Sequence, residues 1–406
     1  MKSSLFQIAE RLSKGPQNHR LLIIWGSGLF LLCAGIGFNI AYHKPIWIDE
    51  MYNQIVTVAG RSYWQIIWVG SKGGDGNVAP LFHLSQKIIT DMAQWIVTPD
   101  WLTQEGIYSS LKARIILRIV PVVSVSLSMV LIFYYFCRHY SWLAGVYSFL
   151  VSLASFMIWA FLAEARPYPL LLFLTTIQSL VFLKLVEADG PRKARLWRQL
   201  CAIHVLLVLT AVLSLIQICS IALLLWLTEE RNWKKYIPMF FVPFAIGLYY
   251  YSFTPKYEYW FKESPWQLIG ASFSKERMLI AVIFIFFIIK RYRQSHKSWM
   301  ELWSEKFIND AHSKMSVIYF LFLSLMLAGF SLLLINFKLH ENFKDGFQFP
   351  NRYFIALTPI GIIATTLFSI YLVKLQNSSR GKIIMVLFLA AILFLRLVKT
   401  LNIHAI

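Results

Sequence analysis

Long apolar runs separated by short polar or charged segments make up most of this chain. Most of the runs are close to the roughly 20 residues that an α-helix needs to cross a lipid bilayer. The pattern therefore predicts an all-α polytopic membrane protein with eleven transmembrane helices. The predicted spans are residues 21–42, 114–136, 142–163, 167–187, 200–213, 214–228, 236–253, 274–290, 315–337, 353–373 and 382–402.

Two apolar stretches of the chain fit more than one interpretation. The first run follows four basic residues, yet it is longer than the 7 to 15 apolar residues of a signal peptide, so we predict a retained span. The apolar stretch 200–228 fits one long tilted helix or two short ones. Two spans that meet near Ser214 are preferred, because an even number of crossings there keeps the loop charges consistent.

The net charge of +19 does not indicate a nucleic-acid partner in a chain that is 58% hydrophobic. With a cytoplasmic N-terminus, the predicted inner segments hold 22 of the 39 Lys and Arg residues but only 8 of the 20 Asp and Glu residues. This asymmetry follows the positive-inside rule for a multi-pass protein of the plasma (inner) membrane. It leaves most carboxylates on the outer face, where topology does not require them. The four cysteines have no metal-binding spacing.

The predicted external loop 43–113 is the longest in the chain. It contains amphipathic pieces typical of helices in the membrane interface, joined by the glycine-rich turn 70–76. That turn is not a phosphate-binding P-loop, because neither a preceding strand nor a Gly-Lys-Ser/Thr ending is present. Residues 1–406 are predicted to form a single transmembrane domain without a separate soluble domain.

The loop opens on the adjacent carboxylates Asp49 and Glu50, just beyond the first span. Two adjacent carboxylates near hydrocarbon are costly unless they form ion pairs, bind a metal or take part in catalysis. It could be a solvated pair at a helix end, or it could supply a general base for an attacking hydroxyl.

Three further groups fall on the same predicted side. Glu164 and Arg166 precede a helix that starts at Pro167; they could form a weak local ion pair, or Arg166 could hold a phosphate. Arg352 and Tyr353 could be an interfacial anchor or a second phosphate contact. His83 could ligate a metal, although a lone histidine in a helical stretch is more often structural.

Taken in order, these residues resemble those of GT-C-type membrane glycosyltransferases that use polyprenyl-phosphate sugars, such as protein O-mannosyltransferases and aminoarabinose transferases. The resemblance is carried by Asp49-Glu50, by Pro80-Leu81-Phe82, by Glu164 to Tyr168, and by Arg352-Tyr353. It is good over about residues 20–230 and rests mainly on topology beyond them. Many relatives have His-Pro-Pro-Leu-Tyr where this chain has Val78 to Phe82, so the histidine of that motif has no counterpart at this position.

The resemblance implies transfer of a sugar from a polyprenyl-phosphate donor to a lipid, glycan or protein hydroxyl, with inversion. Asp49 would be the base, Arg166 and Arg352 would stabilise the departing phosphate, and Glu50, Asp75 and Glu164 would position the acceptor or hold a metal. A divalent cation such as Mg, Mn or Zn would be held by Asp49, Glu164 and His83, or none would be needed. Substrate-binding candidates further include Lys72, Pro80, Tyr168 and Tyr353. The alternative from the residues is a transporter or lipid-sugar flippase.

Overall fold

The described part of this computed structural model is all-α and covers residues 19–70, 78–96, 110–228, 232–253, 311–338, 351–374, 376 and 378–404. Among those residues, five helices are long and apolar enough to cross a membrane, or six if one bent pair counts as a single span. The first half comprises α1 (His19–His43), α2 (Ile48–Tyr52), α3 (Tyr63–Val69), α4 (Leu81–Gln94), α5 (Leu111–Ile116), α6 (Ile119–His139), α7 (Trp142–Leu153), α8 (Phe156–Leu162) and α9 (Pro167–Val186). The second half comprises α10 (Gly190–Thr210), α11 (Leu215–Thr228), α12 (Trp233–Tyr236), α13 (Val242–Tyr251), α14 (Ala311–Lys338), α15 (Leu357–Lys374) and α16 (Ser379–His404).

Short irregular helical turns connect several of these elements. Two are π-helical, Asn53–Val58 after α2 and Ile237–Phe241 before α13. Two are 3₁₀-helical, Val212–Ser214 between α10 and α11 and Asn351–Ala356 before α15. The break near Ser214 divides the long apolar stretch 200–228, as the charge pattern predicts. The predicted span 274–290 lies outside the described residues.

Helices α6 and α9 form the centre of the bundle. Helix α6 packs along α7, α9 and α1, and α9 packs in turn along α10 and α14. Their contact faces are apolar and include the buried residues Phe133, Phe136 and Phe182. Because α6 and α9 both start at the end of the bundle that carries the candidate residues, their packing fixes where those residues lie.

The predicted span 142–163 is broken into α7 and α8, which meet at a bend of 66°. A break leaves nearby carbonyl groups without the partners that a continuous helix supplies. Trp159 donates its indole N–H to the carbonyl of Leu153, and Thr400 on α16 donates its hydroxyl to the carbonyl of Ala154 at 3.2 Å. These two bonds satisfy polar groups that would be costly in hydrocarbon. The bend directs α8 toward the turn 163–166.

The first loop contains helices, as its amphipathic pattern predicts, and it is fastened to the bundle. Arg61 donates to the carbonyl oxygen of Gly70 at 2.8 Å, which closes the end of α3. The hydroxyls of Tyr249 and Tyr250, at the end of α13, donate to the carbonyls of Trp68 and Ile67 at 2.8 and 2.6 Å. Gly70 has φ 67° and ψ −147°, a backbone conformation that is essentially restricted to glycine.

Candidate active site

Asp49 and Glu50 both lie in the first turn of α2 but have different surroundings. The side chain of Asp49 is 30% exposed, whereas that of Glu50 is completely buried. A negative charge in the first turn of a helix is favoured by the partial positive charge of the backbone N–H groups. Of the two adjacent carboxylates, Asp49 is therefore the one that a substrate can reach.

Arg166 connects the first loop to the turn between α8 and α9. Its Nη2 atom lies 3.2 Å from Oδ2 of Asp49, and its Nη1 atom lies 3.2 Å from Oε1 of Glu164. Arg166 is the N-cap residue of α9, and Pro167 occupies the first turn, where a missing N–H has no cost. Two carboxylates that are far apart in the sequence thus share one buried guanidinium.

The ring of Tyr168 contacts this guanidinium. The Cζ atom of Arg166 lies 5.1 Å from the centre of the Tyr168 ring, within the range of a cation–π contact. Tyr168 is buried and packs against Phe161 of α8, with ring centres 5.4 Å apart. The ring of Tyr168 therefore limits the orientations that are open to Arg166.

The surroundings of Glu164 alter the ionisation of its carboxyl group. Burial raises the pKa of Glu164 above its ordinary value of 4.5, and Glu50 adds to the rise, while Arg166 and Lys44 oppose it. A raised pKa means that the folded protein binds this proton more tightly than the unfolded chain does. Stability contributed by this proton is present at low pH and is lost as the pH rises from 4.5 through the folded pKa.

We expect Glu164→Gln to reduce the loss of thermal stability on going from pH 5 to neutral pH, because glutamine mimics the protonated form. At neutral pH the variant should melt no lower than the wild type. Melting temperatures in detergent across that pH range would check this. A variant that is less stable than wild type only at neutral pH would show that the ion pair with Arg166 outweighs the burial of Glu164.

Glu50 is held by Arg118, a residue that the sequence analysis did not single out. Arg118 lies in the turn between α5 and α6 and is completely buried. Its Nε and Nη2 atoms donate to Oε1 and Oε2 of Glu50 at 3.2 and 2.7 Å, a paired geometry. A charged residue inside a predicted span is costly unless it is paired. The position of Arg118 within span 114–136 could therefore have predicted a buried carboxylate partner.

His83 lines the same pocket as Glu50, and Pro80 precedes it at the start of α4. Pro80 is the N-cap residue of α4, and His83 is completely buried in the first turn of that helix, edge-on to Phe82. A small pocket is lined by His83 together with polar groups, among them Glu50, Asn53, Gln54 and Gln86. The carboxylate that lines this pocket with His83 is therefore the one already paired with Arg118.

The described residues provide a poor fit to the suggested metal site. Within these ranges, no three His, Cys, Asp or Glu side chains are grouped so that they could hold a metal ion. Asp49 and Glu164 instead share the positive charge of Arg166. Metal ligation by Asp49, Glu164 and His83 remains a prediction, and no step below depends on it.

Four of the candidates lie wholly or partly outside the described residues. Lys72 and Asp75 lie outside the described residues, as do the side chains of Arg352 and Tyr353. The backbone turn Asn351–Ala356, which carries the last two, packs against α9, the helix that begins next to Arg166. Their roles remain predictions.

The fold and the apolar helices define a class, that of multi-pass, all-α membrane proteins with a GT-C-like architecture. A solved structure with this architecture is the apo form of ArnT, an aminoarabinose transferase from Cupriavidus metallidurans. The TM-score is 0.51 and the sequence identity 14%; the match covers 89% of this chain and 62% of the ArnT chain. The likeness therefore concerns the fold. No protein-family model and no curated protein matches the sequence.

Proposed function

We propose that this protein is a membrane glycosyltransferase that moves a sugar from a polyprenyl-phosphate donor to an acceptor hydroxyl. The reaction would take place on the outer face of the plasma (inner) membrane and invert the anomeric centre. The observation that carries the proposal is the contact of the partly exposed carboxylate Asp49 with the buried guanidinium of Arg166. The GT-C-like fold supports the same class of reaction.

Asp49 and Arg166 have the chemical properties that glycosyl transfer from a lipid phosphate requires. The leaving group is a phosphate, so the protein has to supply a base for the acceptor and positive charge for the departing oxygen. Asp49 is accessible and ionisable, and Arg166 can offer paired N–H donors to phosphate oxygens. Glu164, on the far side of Arg166, would keep the guanidinium in place while it shifts from Asp49 toward the phosphate.

The step balances with these groups alone. The acceptor hydroxyl gives its proton to the Asp49 carboxylate while its oxygen forms a bond to the anomeric carbon. The bond from that carbon to the phosphate oxygen breaks, and its electron pair leaves with polyprenyl phosphate. Protonated Asp49 then returns its proton to solvent. Attack from the face opposite the phosphate inverts the configuration at the anomeric carbon.

A transporter or lipid-sugar flippase is the competing function. Transporters place charged residues near the middle of the membrane, at the interface of repeated halves. In the described residues, Asp49, Glu164 and Arg166 lie instead at helix ends, where they meet through a loop and a turn. This position favours chemistry at the membrane surface.

The decisive experiment incubates the purified protein with a panel of polyprenyl-phosphate sugars and a mixture of lipid, glycan and peptide acceptors. Release of polyprenyl phosphate, measured by mass spectrometry, is the expected result. Arg192→Gln, at the opposite end of the bundle in α10, provides a control that should retain the wild-type rate. Movement of an intact sugar lipid between the leaflets of a vesicle, with no donor cleavage, would support the flippase instead.

We expect Arg166→Gln to slow donor cleavage by on the order of 10²-fold, the effect of removing one donor to a developing negative charge. The loss should be largely in kcat, since the interaction grows as the phosphate leaves. Steady-state kinetics with the cleaved donor would measure this. A change confined to KM would indicate that Arg166 binds the donor without stabilising the transition state.

A further inference from the structure

Arg118 is bonded far more extensively than a surface arginine at a helix end. Besides Glu50, it donates to the carbonyl oxygens of Ala41, Lys44 and Pro45, at 3.2, 2.5 and 2.8 Å. These carbonyls belong to the last turn of α1 and the segment that follows it, where helical partners have run out. Arg118 thus joins the end of α1 to the start of α6.

Glu50 is saturated by its partners. Oε1 accepts from Arg118 Nε and from the backbone N–H of Ala165, and Oε2 accepts from Arg118 Nη2 and from the backbone N–H of Trp47. A carboxylate has about four lone-pair sites, and all four are used here. No lone pair remains for a metal ion or an acceptor hydroxyl.

The backbone partners of Glu50 lie within two residues of Asp49 and Arg166 in the sequence. Trp47 lies two residues before Asp49, Glu50 directly follows Asp49, and Ala165 stands between Glu164 and Arg166. One buried carboxylate therefore fixes the backbone on both sides of the contact between Asp49 and Arg166. The carboxyl group of Asp49 and the guanidinium of Arg166 are then brought together by backbones that Glu50 connects.

We propose that Arg118 and Glu50 are positioning residues that set the distance between Asp49 and Arg166, and that neither touches substrate. The inference rests on the proposed function, because its consequence for rate requires Asp49 to be the base. It assigns Glu50 a role different from the acceptor or metal contact that its place beside Asp49 suggests. A misplacement of about 1 Å in such a site can cost about 10²-fold in rate.

The first test uses Arg118→Lys, which keeps the charge but loses the planar fork that bonds both oxygens of Glu50. We expect single-turnover donor cleavage to fall by roughly 10- to 100-fold. In an Asp49→Asn background the same change should have little further effect, because Arg118 acts through Asp49. Equal fold losses in both backgrounds would overturn the proposal and leave Arg118 with a role in stability alone.

Arg114→Lys is the matched control. Arg114 lies one turn earlier, in α5, and donates to the carbonyl of Tyr42 at 3.3 Å, so it also contacts the end of α1. Arg114 bonds to Tyr42 rather than to Glu50, and we expect its substitution to leave the rate close to wild type. Melting temperatures of both variants in detergent would separate a change in rate from a loss of folded protein.

A second measurement does not depend on activity. In the variant Asp49→Cys/Arg166→Cys the direct ion pair is gone, while the hydrogen bonds of the Arg118 and Glu50 pair still connect the two backbones. Cross-linking by a short bifunctional thiol reagent, detected after proteolysis, should be efficient and should fall to a small fraction when Arg118→Lys is added. Equal yields would contradict the positioning role even if no donor is ever cleaved, and absent donor cleavage with a lost cross-link would contradict only the proposed reaction.

Discussion

Asp49→Asn should lower donor cleavage by about 10²- to 10⁴-fold, the usual contribution of a general base. The amide keeps the size of the side chain but cannot take the proton of the acceptor hydroxyl. It also replaces a charged partner of Arg166 with a neutral one at the same position. Rates measured with saturating donor and acceptor would show the loss in kcat, because the base acts in the chemical step.

Asp91→Asn is a closely matched control for this change. Asp91 lies in α4 of the same loop, its side chain is 36% exposed, and it accepts from Lys87 at 3.2 Å. It therefore shares the residue type, exposure and ion pairing of Asp49 without the contact with Arg166. Cleavage that survives Asp49→Asn at the wild-type rate would remove Asp49 as the base and leave the class of enzyme intact.

Gly70→Ala is expected to be among the most damaging single-methyl changes in the loop. A Cβ atom at this position would lie 1.8 Å from the carbonyl oxygen of Val78, a backbone atom that cannot move without displacing its chain. The left-handed backbone of Gly70 adds strain of about 1 to 3 kcal/mol for any other residue. We expect a clear fall in melting temperature and weaker docking of α3 on Tyr249 and Tyr250.

Gly60→Ala separates the steric clash from the backbone strain. Gly60 also has a positive φ, 70°, but a Cβ atom there would meet nothing within 4 Å. Its substitution should cost only the strain, so its melting temperature should lie between those of the wild type and Gly70→Ala. If both variants melt at the same temperature, the close approach to Val78 does not matter for stability.

Hydropathy was sufficient for most of the helices, because apolar length is what a bilayer selects. Hydropathy did not predict the places where side-chain hydrogen bonds or polar helical turns determine where a helix bends or begins. The bend between α7 and α8 interrupts a run whose residues are apolar on both sides, and it depends on bonds from Trp159 and Thr400. The helix predicted over 200–213 begins at Gly190, since its first three turns are polar and do not register as a span.

In the site, too, the sequence pattern predicted which residues lie close together, whereas tertiary contacts determine which of them are buried. Placing the turns at 49 and 164 on one side of the membrane was enough to predict that Asp49, Glu164 and Arg166 would be neighbours. The opposite fates of Asp49 and Glu50 were not predictable, because adjacent residues in a helix point about 100° apart and only packing decides which is buried. Arg118 completes that burial from a distant part of the chain.

The hydrogen bond from Thr400 to Ala154 connects positions separated by 246 residues. Ribosomes synthesise the chain from its N-terminus, so the carbonyl of Ala154 at the bend is made long before its partner Thr400. The bend directs the chain into the turn that holds Glu164 and Arg166. Bonding at the bend would therefore be completed only after α16 has inserted, and a nascent chain lacking α16 would carry Asp49, Glu164 and Arg166 before the bend is fully bonded.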